Sequence, residues 1–304
     1  SILLSTSGSL GSPKFVKLSK QNIFNNTIDI IKALKISEKD RCITTLIPSY
    51  TYGMSIINTH LYSGSSLVMN PFSIIEKNFW KLLEQTSAKT FGGVPVHYEI
   101  IKKLKVQNLN LKSIKYLTQA GGKLNKDTFN YLIDELSKKN IKLIPMYGST
   151  EATSRMSIQN WNFTKKKLYS IGKPIGKGEF YIFSKNKKII KKKMTKGELV
   201  YKGKNVYCGY VKDYKGFKSL DKIKLLFTGD LAYRDNSNNI IISGRKGRFL
   251  KIDGHRVDLD YLERIIEKNK IKCACIGKGE LLNIIYENEK NNKKILAILK
   301  KFKK

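Results

Sequence analysis

Hydrophobic and polar positions along the first 150 residues follow two alternating periods. Apolar residues at helical spacing predict helices at 20–34, 52–61, 76–86, 96–104 and 126–136. Short apolar runs between them predict strands at 42–47, 66–69, 89–91, 114–117 and 141–145. Because alternating strands and helices form right-handed βαβ units, we expect an α/β fold with a mainly parallel sheet and flanking helices.

The pattern changes after about residue 170. Short apolar runs between Gly, Asn, Asp and Lys turns predict an antiparallel β subdomain with strands at 180–183, 189–191, 198–201, 225–227 and 240–242. A small α+β domain is expected after Gly244, with strands at 249–252, 272–276 and 283–286. Its helix should begin near Asp260, which forms a capping-box pattern with Glu263, and a basic last helix is expected within 290–304. The predicted domains are therefore 1–168, 169–246 and 247–304.

The composition is that of a folded protein with a large excess of lysine. The 304 residues are 41% hydrophobic and carry a formal net charge of +34, which permits one large or two to three smaller domains. The lysines are spread along the whole chain, so we expect no specific nucleic-acid binding. A lysine-rich protein that binds nucleic acid or an anionic surface is the alternative from another class. The sequence has no apolar run long enough for a membrane span, and its four cysteines lack metal-ligand spacing, which favours a cytoplasmic location.

Arginine is rare against this background and is therefore informative. Only seven of the 58 basic residues are Arg, and five of the seven lie within 234–264. Where lysine is the usual cation, an arginine is expected to serve through its planar, bidentate guanidinium. The window 234–264 is therefore a candidate site.

A loop rich in serine and glycine follows the first apolar run. Residues 5–14 are Ser-Thr-Ser-Gly-Ser-Leu-Gly-Ser-Pro-Lys. Small residues let backbone N–H groups approach an anion, hydroxyls donate hydrogen bonds, and the lysine adds a positive charge. The loop matches neither a Walker A loop nor a dinucleotide-binding fingerprint. On composition, a phosphate-binding loop and a flexible linker both remain open.

The order of these residues, as distinct from their composition, resembles the signature loop of the adenylate-forming (AMP-binding) superfamily. This superfamily includes acyl-CoA synthetases, adenylation domains and luciferases. Three later segments resemble the same family in the same order: Tyr-Gly-Ser-Thr-Glu at 147–151, Thr-Gly-Asp at 228–230, and Gly-Arg-Lys-Gly-Arg-Phe-Leu-Lys-Ile-Asp-Gly-His-Arg at 244–256. The resemblance implies an enzyme that uses ATP and Mg²⁺ to convert a carboxylic acid into acyl-AMP. The acyl group would then pass to the thiol of CoA or of an acyl-carrier protein's phosphopantetheine.

The resemblance favours the acid–thiol ligase branch over the alternative of an amino-acid adenylation domain. Acyl-pocket segments of the family fall at 48–54 and 91–97, and no acidic residue stands there to hold an α-ammonium group. Both segments mix aromatic, glycine and small apolar residues, as the wall of a pocket does. The identity of the acid stays open at this stage.

Roles for individual residues follow from the same resemblance. Glu151 is the expected Mg²⁺ ligand, Tyr147 would stack on adenine, and Asp230 would accept hydrogen bonds from the ribose. The expected catalytic residues are Lys14, Thr150, Glu151 and Lys251. The expected nucleotide-binding residues are Thr6, Ser7, Gly8, Ser9, Gly11, Lys14, Gly121, Gly122, Tyr147, Gly148, Ser149, Thr150, Asp230, Arg245 and Arg256.

The resemblance is incomplete at both ends of the sequence. The family has a long region before the phosphate loop, whereas this sequence starts four residues before it, so we expect it to begin inside a strand. After Cys275 we find no Pro/Gly-Lys context for the family's late catalytic lysine, so we expect the C-terminal domain to be truncated. The family's hinge position, usually Asp or Lys, is Gly247, whose backbone freedom suits a hinge.

Overall fold

Helices and strands alternate through the first half of the chain. The structure is a computed structural model that describes residues 1–6, 14–166, 169–211, 217, 223–252, 255–278 and 281–302. Its helices are α1 (Lys20–Leu34), α2 (Thr51–Tyr62), α3 (Lys77–Gln85), α4 (Pro95–Leu104), α5 (Lys126–Lys138), α6 (Trp161–Lys165), α7 (Leu259–Lys268) and α8 (Asn292–Phe302). Within the described residues, none of these helices has the length and apolar character needed to cross a bilayer.

A mainly parallel sheet forms the centre of this half. Its strands are β3 (Arg41–Ile43), β4 (Ser66–Val68), β5 (Thr90–Gly93), β6 (Tyr116–Gln119), β7 (Lys142–Tyr147), β8 (Ser157–Ile158) and β9 (Lys173–Pro174), which follow the hairpin strands β1 (Ile2–Thr6) and β2 (Lys14–Leu18). The order is β4-β3-β5-β6-β7-β8-β9. Strands β3 to β7 are parallel, and β8 and β9 extend the sheet in antiparallel pairing. The predicted α/β fold with a mainly parallel sheet is confirmed.

Helices α1 to α5 form close to where the sequence predicts them, because local signals and burial agree, whereas α6 is not predicted from the sequence. At the start of α1 the Ser19 hydroxyl accepts from the Asn22 backbone N–H, and the Asn22 side chain accepts from the Ser19 N–H, each at 3.0 Å. Fully buried side chains of α3, α4, α5 and the sheet form one apolar cluster that includes Phe79, Phe91, Tyr98, Phe129 and Leu132. Burial of such side chains is the main favourable term in folding.

Short strands make up most of the second half. They are β10 (Glu179–Phe183), β11 (Gly197–Lys202), β12 (Tyr210–Val211), β13 (Leu226–Arg234), β14 (Ile240–Arg245), β15 (Phe249–Ile252), β16 (His255–Asp258), β17 (Cys273–Lys278) and β18 (Leu281–Tyr286). Strand β12 pairs antiparallel with β2, and β15–β16 and β17–β18 are antiparallel pairs. The strand predicted at 189–191 is wrong: Ile189 makes a single bridge to Phe183, because a turn at Ser184 to Lys188 reverses the chain there.

The chain divides into two compact units. The first consists of residues 1–181, 200–228 and 234–241, and the second of 182–199, 229–233 and 242–304. The three predicted domain boundaries remain predictions. In the second unit the capping-box interpretation of α7 is wrong, because the helix begins at Leu259 and Asp260 therefore lies inside its first turn rather than at the N-cap. Asp260 accepts from the Arg245 backbone N–H at 2.7 Å, and Glu263 accepts from the Cys275 N–H at 2.7 Å.

Candidate functional site

Glycines follow or end neighbouring parallel strands at one edge of the main sheet. The register aligns Gly93 of β5 with Gln119 of β6, and Gln119 with Pro145 of β7. Parallel strands place their carboxyl ends at the same edge, where ligands of open α/β sheets usually bind. The segments after β6 and β7 therefore bring Gly121 and Gly122 to the same edge as residues 147–151.

Two of these glycines are required by the protein's own packing. Gly121 has φ +79°, and a Cβ there would lie 2.7 Å from the Tyr50 hydroxyl and 2.9 Å from Val94 Cγ1. A Cβ on Gly148 would lie only 1.6 Å from the Ser154 carbonyl oxygen. The family resemblance places Gly121 and Gly148 among the expected nucleotide-binding residues. The structure adds an internal reason for glycine at both positions, and contact with the base remains a prediction.

Residues 147–151 form a tight turn at the end of β7. The Tyr147 ring lies 6.1 Å from the Phe180 ring, and residues Thr150–Ala152 form a 3₁₀ turn. The Thr51 hydroxyl at the start of α2 donates to the Thr150 hydroxyl at 3.0 Å. The hydroxyl oxygen of Ser149 is buried and has no hydrogen-bond partner within the described part of the chain. An unpartnered buried hydroxyl is costly, and a phosphate oxygen would satisfy it.

Glu151 is held by a tyrosine from β12. The Tyr210 hydroxyl donates to Glu151 Oε1 at 2.9 Å, and the Tyr207 backbone N–H donates to the Glu151 carbonyl at 2.8 Å. Burial, followed by the neighbouring carboxylate of Glu151, raises the pKa of Tyr210 above its usual value. The tyrosine is therefore a neutral donor that orients the carboxylate.

This carboxylate suits a metal that is shared with substrate. Among the residues that the structure describes, no group of three or more His, Cys, Asp and Glu side chains could hold a metal ion. Mg²⁺ commonly binds through one or two carboxylates, water and substrate phosphate oxygens, and does not need an all-protein cage. A single oriented carboxylate, two residues along the chain from an unpartnered Ser149 hydroxyl, fits that mode of binding.

The candidate phosphate loop connects the strands of a hairpin. Strands β1 and β2 are antiparallel, and Thr6 pairs with Lys14 across the two ends of the loop. Ser7, Gly8, Ser9 and Gly11 lie outside the described residues, so their roles remain predictions. Strand β2 also pairs with β12, where Val16 lies opposite Tyr210. The strand that follows the loop is therefore next to the strand whose tyrosine holds Glu151.

Asp230 and Arg245 meet within the second unit. Arg245 Nε lies 3.0 Å from Asp230 Oδ1, and the arginine side chain is 65% exposed while the aspartate is 13% exposed. Gly229, just before the aspartate, has φ +74°, which favours glycine. The sequence identified both residues without predicting that they pair.

The remaining predicted residues lie on the β15–β16 hairpin of the same unit. Lys251 pairs directly with Arg256 across this hairpin. Their side-chain contacts remain predictions, as does the hinge at Gly247. The backbone of Gly247 has φ +92°, a conformation that suits glycine.

Arg155 is a candidate residue that the sequence analysis did not single out. Its side chain is 2% exposed, its guanidinium lies 5.0 Å from the Tyr52 ring centroid, and its Nε is buried without a hydrogen-bond partner among the described residues. Burial lowers the pKa of Arg155 below its usual value. A signal was present in the sequence, since this arginine stands four residues after Glu151 in a chain where lysine is the usual cation.

Comparisons with known proteins identify a family and several relatives. The family described as AMP-binding enzyme matches residues 2–211. Oxalate–CoA ligase of Saccharomyces cerevisiae is 26% identical over 269 residues, which cover 87% of this chain and 48% of the yeast protein. Indoleacetate–CoA ligase of Aromatoleum aromaticum is 25% identical, with 90% of this chain and 53% of that protein covered. The chain thus spans about half the length of these relatives.

Solved structures share the fold. The O-succinylbenzoate coenzyme A synthetase of Bacillus subtilis in complex with AMP superposes with a TM-score of 0.80 at 20% identity, over 98% of this chain and 62% of that one. The same enzyme in complex with ATP and magnesium ion gives a TM-score of 0.76 at 22% identity, over 93% and 59% of the two chains. At this level of identity the match establishes the fold alone.

Proposed function

The chain belongs to the AMP-binding enzyme family, and we propose that it activates a carboxylic acid with ATP and passes the acyl group to a thiol. A carboxylate oxygen would attack the α-phosphorus of ATP, the bond to pyrophosphate would break, and acyl-AMP would form. A thiolate of CoA, or of the phosphopantetheine on a carrier protein, would then attack the acyl carbon and release AMP. The observation that carries this proposal is the oriented Glu151 carboxylate beside the strand that follows the candidate phosphate loop.

The first step brings a carboxylate up to a phosphate that is already negative. Bound Mg²⁺ would supply positive charge at the phosphate oxygens, and Glu151 is the residue proposed to hold it. Ser149 and Thr150 are proposed to donate hydrogen bonds to the α-phosphate. The loop of residues 6–14, which includes Lys14, is proposed to bind the β- and γ-phosphates.

Roles in nucleoside binding are proposed for individual residues, each from its motif. Tyr147, with Gly121 and Gly122, is proposed to contact adenine. Asp230 is suited to the ribose because one carboxylate accepts hydrogen bonds from two hydroxyls, and Arg245 is proposed to contact the ribose or the phosphate. Lys251 and Arg256 are proposed to serve the thioester-forming step.

The relatives support the proposed class of reaction, but the identity of the acid has to be inferred from this chain's own residues. Their names state activity on oxalate, indoleacetate and long-chain fatty acids with CoA, which are acids of very different shape. Bacitracin synthase 3 of Bacillus licheniformis is 29% identical over 280 residues, which make up 4% of its length. CoA and a carrier protein therefore both remain proposed acceptors.

The proposal is tested by acid-dependent exchange of labelled pyrophosphate into ATP. We expect the protein with Mg²⁺ and a suitable acid to catalyse exchange, and Glu151→Gln to lose most of it while AMP binding is retained. Glu135→Gln is the matched control, because Glu135 pairs with Lys138 on α5 and has no role in the proposed site. Equal exchange in the Glu151→Gln variant and the parent protein would refute the assignment of the metal ligand.

A further inference from the structure

Arg155 is a positive charge that the fold itself does not neutralise. No described carboxylate forms an ion pair with it, and its Nε lacks a partner. The titratable groups near it are Tyr52, Tyr116, Cys42 and His60. The Tyr52 ring offers a cation–π contact at 5.0 Å, which replaces only part of the lost hydration. A buried guanidinium normally has an anionic partner, because an unpaired charge in the interior is costly.

The position of Arg155 connects it to the proposed site. Residues 150–154 run along α2, since the Thr51 hydroxyl bonds to Thr150 and the Ser154 hydroxyl donates to Ser55 at 3.2 Å. Thr51 and Ser55 are four residues apart on the helix, which corresponds to about 6 Å along its axis. Arg155 follows directly and lies over Tyr52 in the same turn of α2.

The Tyr52 ring that covers Arg155 belongs to an apolar cluster formed by residues of α2 and of the main sheet. Tyr52, Ile56, Ala120 and Met146 form one buried cluster with Cys42. Ala120 precedes Gly121, and Met146 precedes Tyr147, so the cluster includes residues that are adjacent in the chain to the segments proposed to bind the nucleotide. An acid activated at Thr150 and Glu151 would extend its tail into this region.

We propose that the acid substrate is a short dicarboxylic acid, whose second carboxylate pairs with the Arg155 guanidinium while its first is activated beside Thr150. This inference rests on the proposed function and names the class of acid. Arginine matches a carboxylate through two parallel hydrogen bonds. The same cation would repel the α-ammonium group of an amino acid, and a long apolar tail would leave it unpaired.

The test compares acids of equal length in the pyrophosphate-exchange assay. Succinate, glutarate and adipate are matched with butyrate, pentanoate and hexanoate, and the parent protein is compared with Arg155→Met. We expect the parent protein to prefer the dicarboxylic acids. In Arg155→Met, kcat/KM for the best dicarboxylic acid should fall by about 30-fold or more, the usual effect of truncating one partner of a buried charge pair. The kcat/KM of Arg155→Met for the monocarboxylic acids should equal or exceed that of the parent protein.

The stability of the variant separates a substrate role from a structural one. Because Arg155 is not paired within the fold, Arg155→Met should unfold at the same or a higher urea concentration. A residue kept only for packing would instead lose stability on replacement and leave the ratio of dicarboxylic to monocarboxylic acids unchanged. Arg41→Met, at an exposed arginine that donates to the Thr86 carbonyl, is the matched control.

The outcomes distinguish this inference from the function on which it rests. Exchange with monocarboxylic acids that equals exchange with dicarboxylic acids, in both the parent and Arg155→Met, would overturn the dicarboxylate inference and leave acid activation intact. Failure of every acid to support exchange, together with no rise in melting temperature on addition of ATP and Mg²⁺, would overturn both.

Discussion

The Tyr210 hydroxyl donates a hydrogen bond to Glu151 Oε1 at 2.9 Å, although the two residues are 59 positions apart in the chain. The tyrosine lies on β12, opposite Val16 of the strand that follows the candidate phosphate loop. One side chain therefore connects the expected metal ligand to the hairpin that carries the loop. Replacing a partner that orients a metal ligand typically lowers metal affinity or activity by about 10- to 100-fold.

We predict that Tyr210→Phe raises the Mg²⁺ concentration needed for half-maximal pyrophosphate exchange by about tenfold, because the carboxylate loses its orienting donor. AMP binding without Mg²⁺ should not change. Tyr181→Phe is the matched control, since Tyr181 donates to Glu179 in another tyrosine–glutamate pair. A Mg²⁺ requirement that shifts equally in both variants would contradict an orienting role for Tyr210.

The pairing of Arg245 with Asp230 leads to a prediction about nucleotide affinity. Arg245→Lys should weaken AMP binding by about 1.5 to 3 kcal/mol, the usual value of a hydrogen bond to a charged group, because lysine cannot form a forked contact. The free energy of unfolding should change little, since the Arg245 side chain is 65% exposed and exposed ion pairs contribute little. Isothermal titration with AMP measures the affinity. Arg41→Lys serves as the control, and an equal loss there would refute a nucleotide contact by Arg245.

Gly148 is predicted to be essential for packing rather than for backbone freedom. An added methyl group would lie 1.6 Å from the Ser154 carbonyl oxygen, and backbone cannot move aside easily. We expect Gly148→Ala to lower the free energy of unfolding by about 3 kcal/mol or more, as measured by urea denaturation.

Gly64→Ala provides the comparison in the same unit. Gly64 has φ +69°, and its added methyl group would meet only Glu38 Cβ at 3.8 Å. That variant should lose only about 1 to 2 kcal/mol, the cost of the left-handed conformation. If Gly148→Ala were no more destabilising than Gly64→Ala, the tight turn after β7 would not have the predicted packing.

The buried His60 and the half-buried His97 predict a loss of stability in mild acid. Burial lowers the pKa of His60 and of His97 below the usual 6.5. His60 is 4% exposed; its Nδ1 is 2.8 Å from the Ile56 carbonyl oxygen, and its Nε2 has no described partner. Below about pH 6.5 these histidines bind protons more readily in the unfolded chain than in the folded protein, so acid favours the unfolded chain. The stabilisation is therefore complete above pH 6.5 and decreases as the pH falls toward the folded-state pKa values.

The change in the free energy of unfolding with pH is measurable by urea denaturation between pH 7.5 and 5.5. Each histidine should contribute up to about 1.4 kcal/mol per pH unit below pH 6.5. His60→Gln should remove the contribution of His60 to this pH dependence and keep that of His97. In the double variant His60→Gln/His97→Gln, the free energy of unfolding should be nearly independent of pH over this range. A double variant with the slope of the parent protein would assign the acid sensitivity to other groups.

Much of the local structure could be predicted from the sequence. The helix α1 spans Lys20–Leu34, the residues that its apolar spacing predicts. The alternation of strands and helices also predicts that the main sheet is mainly parallel. Both predictions depend on residues that are near one another in the chain. The segment at 189–191 shows the limit: its apolar residues fit a strand, but a neighbouring turn leaves it one bridge.

The sequence by itself determined the order of the motifs and the elements that carry them, since periodicity, caps and turn residues act over a few positions. Only the tertiary structure decided which side chains meet. Thr51 reaches Thr150, and Tyr210 reaches Glu151, because the packing of α2 and the register of β12 bring distant segments together. In the sequence Arg155 is one of many basic residues. In the folded structure it is a buried guanidinium that lies over the Tyr52 ring and has no described hydrogen-bond partner at Nε. Such contacts depend on the sum of many packing interactions, which no local pattern contains.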